Sequence, residues 1–176
     1  MIKPFETKRF YLRPLNLGDL RDMFELDVNS EVHRFLGNKP VTHLAQVRQN
    51  LEDIMSQYNR HGIGRWAVID KLTGDFLGWS GLKYEYEPGY GHYYDIGYRL
   101  KEQFWGKGIG SETAMAWLKC GFDQLKLKSI SGIAHIGNHA SNRILRKIGL
   151  QFQNHFYWED ILCNWYTLNE KDYRGG

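Results

Sequence analysis

Between Gln103 and Ser111 the chain reads Gln-Phe-Trp-Gly-Lys-Gly-Ile-Gly-Ser, with glycine at positions 106, 108 and 110. Glycine lets backbone N–H groups approach an anion with no Cβ in the way. Thr113, Ala114, Trp117, Leu118 and Phe122 then repeat at helical spacing, so a helix opens at the turn. The first N–H groups of such a helix have no partner inside it, and its dipole favours negative charge there. Lys107 adds a positive charge. The chemistry these residues can do is to grip a phosphate-bearing cofactor; the plain alternative is a tight turn with no ligand. The run is not a nucleoside-triphosphate loop, because no Gly-Lys-Ser/Thr ends it, and its Gly-x-Gly-x-Gly spacing is not the dinucleotide fingerprint.

Short elements follow one another around this turn. Phe10–Arg13 reads as a strand ending at Pro14. Asn16 or Asp19 caps a helix carrying Leu20, Met23 and Phe24. A second helix holds Leu44, Val47, Leu51, Ile54, Met55 and Tyr58, and Gly62 and Gly64 punctuate its end. Trp66–Ile69 and Phe76–Leu82 read as strands joined by a hairpin turn, Asp70–Gly74. Pro88, Gly89 and Gly91 mark the next turn, and Tyr93–Leu100 the strand that enters the glycine run. Beyond the helix Gly108–Phe122 come a strand Ser129–Ile136, a helix Ser141–Ile148, and strands Gln151–Tyr157 and Leu162–Leu168. The order β-α-α-β-β-β-α-β-α-β-β is that of an α/β fold, a mixed sheet with helices on both faces. No long linker or repeat interrupts it, so a single domain over 1–176 is expected.

Composition narrows the function classes. Twenty-three basic and 20 acidic residues leave a formal charge of +3, which tolerates an anionic partner but forms no nucleic-acid footprint. No apolar run suggests a membrane span. Cys120 and Cys163 make no disulfide framework and have no zinc spacing, which points to a reducing, cytoplasmic setting and no metal site. His92 and His135 lack the partners of a dyad. Tyr84, Tyr86, Tyr90, Tyr93 and Tyr94 crowd the middle turn. They either line a groove for an acceptor, with Tyr84 and Tyr94 as candidates, or pack the strands and a homodimer contact. Glu159 or Asp160 could hold a cationic group.

The chain resembles the GCN5-related N-acetyltransferases (GNAT), and within them the branch of ribosomal-protein N-terminal acetyltransferases. Gln103, Gly106 and Gly108 match the family's Gln/Arg-x-x-Gly-x-Gly/Ala motif. Asp95-Ile96-Gly97-Tyr98 is similar to its Glu-Ile-Gly-Tyr strand, and Asn138–Leu150 to the branch's Asn-x-x-Ser-x-Arg-x-Leu-x-Lys-x-Gly-Phe. Thr7–Leu15 looks like its opening strand. The resemblance implies a GNAT-like sheet whose central strands splay apart at a bulge, with coenzyme A in the cleft. Its pyrophosphate would lie on Gln103, Gly106, Lys107, Gly108, Ile109, Gly110 and Ser111, and its pantetheine arm against backbone near Tyr98 and beside Asn138. Arg143 would reach the phosphate end or simply face solvent.

The implied reaction is direct transfer from acetyl-CoA to a primary amine. An amine of lysine-like pKa is mostly protonated at neutral pH, so a base is needed. Asp95 stands where the family often carries Glu; alternatively it pairs with a nearby arginine. Backbone N–H groups of the splayed strand could polarise the carbonyl. The family's tyrosine acid is replaced by Leu145. Ser141 stands where the branch places a hydrogen-bond donor to the sulfur, and equally where serine favours a helix start. Phe35 falls where the branch has an aromatic contact to the acceptor. The first-choice acceptor is a protein or peptide N-terminus. A small amine such as a polyamine, amino acid or aminoglycoside comes second, and a non-catalytic acyl-CoA-binding module third. No membrane or nucleic-acid partner is expected.

Overall fold

The computed structural model describes residues 2–174, so residues 1, 175 and 176 of the expected domain lie outside the described part. The strands are β1 (Phe5–Glu6), β2 (Phe10–Pro14), β3 (Arg65–Asp70), β4 (Phe76–Glu87), β5 (Gly91–Leu100), β6 (Ser129–His135), β7 (Gln151–Trp158) and β8 (Ile161–Asn169). The helices are α1 (Leu20–Asp27), α2 (Ser30–His33), α3 (Leu44–His61), α4 (Ile109–Lys119) and α5 (His139–Lys147). The two long pairs of hairpin strands, the late helices and their order agree with the sequence reading. Two short elements escaped it. β1 pairs only Phe5 with Leu12 and Glu6 with Tyr11, too little to leave an alternating pattern. α2 is a single turn capped by the Asn29 side chain. The helix expected to reach Phe122 loosens into a π-type turn over Cys120–Gln124.

All eight strands form one sheet in the order β1-β2-β3-β4-β5-β6-β8-β7. Every neighbouring pair is antiparallel except β5 and β6. The β-period of 2 sends alternate side chains to opposite faces. On β3, Trp66 and Val68 join Ala114, Trp117 and Leu118 of α4 and Leu145 of α5 in the larger core. Ala67, one residue out of phase, joins Met23 and Leu26 of α1 with Val47 and Leu51 of α3. Helices therefore cover both faces. A fully buried side chain of this kind contributes about 1.5–3 kcal/mol, and Leu12, Val68, Leu82, Trp117 and Ile130 have essentially no exposure left.

The functionally important irregularity is in the middle. β4 and β5 stay paired from Gly78–Leu100 to Glu87–Gly91 without a register shift. β5 and β6, by contrast, share one ladder position, Asp95 with Ser131. Beyond it their C-terminal halves, 96–100 and 132–135, have no ladder in common. The expected splay is present, and it arises where a parallel ladder stops rather than from a bulge in β5. Backbone groups on the two facing edges are left for an extended ligand to pair with.

Candidate active site

The glycine turn is built for close approach. Gly106 and Gly108 have φ of +74° and +75°, a left-handed conformation costly for residues with a Cβ. Gly108 is the N-cap of α4, and no side chain caps that helix. Its first turn, with Ile109 and Gly110 buried and Ser111 half-buried, follows directly on exposed Gly106, Lys107 and Gly108. Gln103 is exposed at the entrance. The Lys107 ammonium lies 5.3 Å from the Phe104 ring centre. Arg9, which sequence reading passed over, anchors the turn: its Nη1 donates to the Lys107 carbonyl at 2.9 Å and its Nε to Glu112 at 2.7 Å. The residues fit an anionic phosphate group by charge, free donors and missing Cβ atoms alike.

Across the opening, α5 is held by its own first residues. Asn138 Oδ1 accepts from the Ser141 N–H at 3.1 Å, so Asn138 serves as the cap, and its amide nitrogen has no partner among the described residues. Ser141 Oγ lies 3.2 Å from the Tyr98 hydroxyl, a bond that spans from β5 to α5 over the splay. Burial pushes the Tyr98 phenol above its ordinary range, and the bond to Ser141 opposes this. Asn142 turns inward: its Nδ2 donates to the His135 and Asn138 carbonyls at 2.9 and 2.7 Å, and its Oδ1 accepts from Asn164 and Tyr166. Arg143 is exposed on the second turn of α5, without an ion pair among the described residues. Leu145 is core, 5% exposed.

Asp95 sits where the β5–β6 ladder ends, on the face covered by α1 and α3. Its Oδ2 accepts from Arg65 Nη2, the arginine pairing that the sequence left as the alternative. Arg65 Nη1 also donates to the Gly81 carbonyl and, at 3.0 Å, to the Asp95 carbonyl. The Asp95 side chain keeps 15% of its exposure, and its Oδ1 has no partner among the described residues. Burial pushes its carboxyl above the ordinary carboxylate range against the pull of Arg65. Beside it Ser131 Oγ and Thr167 Oγ1 are 3.0 Å apart, and Trp165 Nε1 donates to Thr167 Oγ1 at 3.0 Å. Two cysteines are buried and their thiols are pushed up to about 11 by desolvation, so neither is a ready nucleophile.

The aromatic candidates divide between the two faces. Tyr84 and Tyr94 are ladder partners with ring centres 5.1 Å apart, packed against the core under α4. Strand alternation puts them opposite Asp95, so the structure does not bring them to it. Tyr93 is on the Asp95 face instead, 4.6 Å from the Trp165 ring and packed with Phe156 and Ile161. Its missed signal was the odd-numbered phase it shares with Asp95. Phe35 lies 5.3 Å from the His135 ring, at the C-terminal end of β6 on that same face. A recess of about 230 Å³ nearby is lined by Leu36, Gly37, Lys39, Trp158, Glu159 and Asp160, among others. A second, of about 520 Å³, lies between α1–α2 and Gln103.

Known proteins share this fold. The acetyltransferase (GNAT) domain family matches residues 9–151. The protein described as uncharacterized N-acetyltransferase YoaA of Bacillus subtilis (strain 168) is 27% identical over 154 residues, 86% of this chain and 84% of its own. Among solved structures, RimL, described as a ribosomal L7/L12 alpha-N-protein acetyltransferase in complex with coenzyme A, aligns with TM-score 0.80 at 16% identity over 95% of this chain and 98% of that one. The spermidine N-acetyltransferase from Vibrio cholerae, in complex with CoA and spermine, aligns with TM-score 0.74 at 18% identity over 93% and 96%. At such identities these two structures establish the shared fold.

Proposed function

We propose a reaction from one premise: this chain belongs to the GNAT acetyltransferase family. Its activity is acetyl-CoA-dependent acetyl transfer; what the family does not supply is the acceptor and the roles of the residues. We assign the acceptor as a primary amine, with a protein or peptide N-terminus first. The observation that carries the scheme is the parting of β5 and β6 with Asp95 on one face and the Tyr98–Ser141 bond on the other. Amine and donor can then meet through the sheet from opposite sides, with no covalent enzyme intermediate. Two buried, high-pKa thiols support direct transfer.

Acetyl-CoA supplies the acetyl group as a thioester. The N–H groups of 106–111, with Lys107, hold its phosphates, and Asn138 Nδ2 and the free edge of β5 near Tyr98 take its amide arm. Arg143 stands at the phosphate end. Asp95 Oδ1, directly or through one water, takes a proton from the acceptor ammonium, and the neutral amine so formed attacks the thioester carbonyl. Ser141 Oγ donates to the departing sulfur, whose thiol pKa near that of cysteine demands no strong acid. On the acceptor face Phe35 and Tyr93 form the wall, and Tyr84 and Tyr94 act only by stiffening β4 and β5. The ribosomal-protein N-terminal branch is supported by the Asn138–Leu150 motif and by RimL among the structural relatives.

A polyamine is the second reading, favoured by Glu159 and Asp160 lining the recess beside Leu36. Profiling peptide N-termini beside spermidine with acetyl-CoA decides between them. Faster thiol release with peptides is expected; release with polyamines alone would overturn the first choice, and none with any amine would leave an acyl-CoA-binding module. No helix among the described residues is long and apolar enough to cross a membrane. Two unpaired, buried cysteines support a cytoplasmic setting. A homodimer through the tyrosine-rich β4–β5 turn is checked by light scattering.

A further inference from the structure

Arg65 is a buried cation held by three bonds, and the scheme above gives it no task. Its side chain is 9% exposed. It lies across the sheet from β3 and bonds to the Gly81 carbonyl on β4, the Asp95 carbonyl on β5 and the Asp95 carboxylate. Its guanidinium is also 5.1 Å from the Trp79 ring centre. The sheet makes room for it at one place. A Cβ on Gly97 would stand 2.9 Å from Arg65 Nη2, 3.1 Å from Cζ and 3.2 Å from Nη1. Any side chain at 97 would push the guanidinium off Asp95.

A planar fork with five donors meets these demands, whereas a lysine ammonium offers one point charge. The result is asymmetric: Arg65 occupies Oδ2 of Asp95 and leaves Oδ1 without a partner among the described residues. Other charged or titratable groups also face Asp95. Lys83 is its ladder partner on β4 and pairs with Glu85, and Tyr93 is on its own strand. On that face β6 and β8 bring the hydroxyls of Ser131 and Thr167 beside it, with His135 and Cys163 paired four residues further along the strands. None of these binds the carboxylate.

We propose that Arg65 is the positioning residue for proton removal, fixing the Asp95 carboxylate where β5 and β6 part and turning its second oxygen toward the amine. This rests on the reading of Asp95 as the base. Arg65 has two separable effects. Its charge opposes the protonation that desolvation favours, and its fork keeps the carboxylate aimed. Gly97 is then part of the same device, because it clears the space the fork occupies.

The test uses two variants and two readouts. The Asp95 carboxyl is titrated by ¹³C NMR in ligand-free protein, and kcat/KM is measured against pH. R65Q removes the charge, so the Asp95 midpoint should rise by about 1–3 pH units, and the acid limb of kcat/KM should rise with it. R65K keeps the charge and loses the fork. Its Asp95 midpoint and KM for acetyl-CoA should stay near wild type while kcat falls about 10- to 100-fold. R65K also carries the test if R65Q does not fold. An unmoved Asp95 midpoint in R65Q, or full kcat in R65K, overturns the role of Arg65. A midpoint that moves while the acid limb stays put overturns instead the reading of Asp95 as base.

Discussion

Replacing Gly110 with alanine measures how closely the glycine turn is fitted to β5. A Cβ at 110 would stand 2.9 Å from Cε2, 3.0 Å from Cζ and 3.1 Å from Cδ2 of Tyr98. Carbon atoms rest at about 3.5–4.0 Å, so the ring must retreat by roughly 0.5–1 Å. It cannot do so freely, because its hydroxyl is bonded to Ser141 at 3.2 Å and its body packs on the larger core. Overpacking on this scale costs about 1–3 kcal/mol. Against it, alanine in place of glycine in a helix returns up to about 1 kcal/mol. G110A should therefore destabilise the protein by about 0–3 kcal/mol. In a Y98A background the obstacle is gone, and the same change should stabilise by up to about 1 kcal/mol. Urea unfolding at constant m value reads both. Equal cost in the two backgrounds would show that Gly110 is not making room for Tyr98.

Further outcomes follow from the same geometry. D95N should lower kcat about 10²- to 10⁴-fold and leave the dissociation constant for acetyl-CoA nearly unchanged by calorimetry; equal activity would remove Asp95 from the proton path. S141A should lower kcat without weakening acetyl-CoA binding, and an unchanged rate would leave Ser141 only as part of the α5 cap. D27N removes a carboxylate that is 1% exposed and bonded to Arg99 at 2.6 Å. Because Arg99 keeps 24% exposure, the cost should be about 1–3 kcal/mol in urea unfolding. The pH dependence has a definite sign. Burial pushes Asp27 up, but His33 and Arg99 outweigh it and hold the carboxyl below its ordinary range. Its stabilisation is therefore complete above about pH 4 and drains away as pH falls through the lowered native value. Wild type should lose stability below pH 4 more steeply than D27N, and parallel curves would contradict the pairing.

Much of the frame was legible because its signals are local. The apolar positions 44, 47, 51, 54, 55 and 58 fall on one side of a 3.6-residue period, and α3 forms there. The left-handed Gly106 and Gly108 stand out in any strand-to-helix turn. Period-2 alternation alone would have set Tyr93 with Asp95 and Tyr94 against them; the reading by clustering of tyrosines discarded that phase. What was not legible depends on chain segments far apart. Arg65 and Asp95 are 30 residues apart, and Arg9 and Glu112 are 103 apart. No local pattern in either member points to the other. The Tyr98–Ser141 bond likewise needs β5 and α5 to have met first.

The account turns on where coenzyme A makes its contacts. Titrating CoA into ¹⁵N-labelled protein and following backbone amides by NMR locates them directly. The largest shifts should fall on 106–111 and on 96–100 of β5, with Asn138 and Ser141 following. Shifts confined to other parts of the sheet, or none at millimolar CoA, would contradict it.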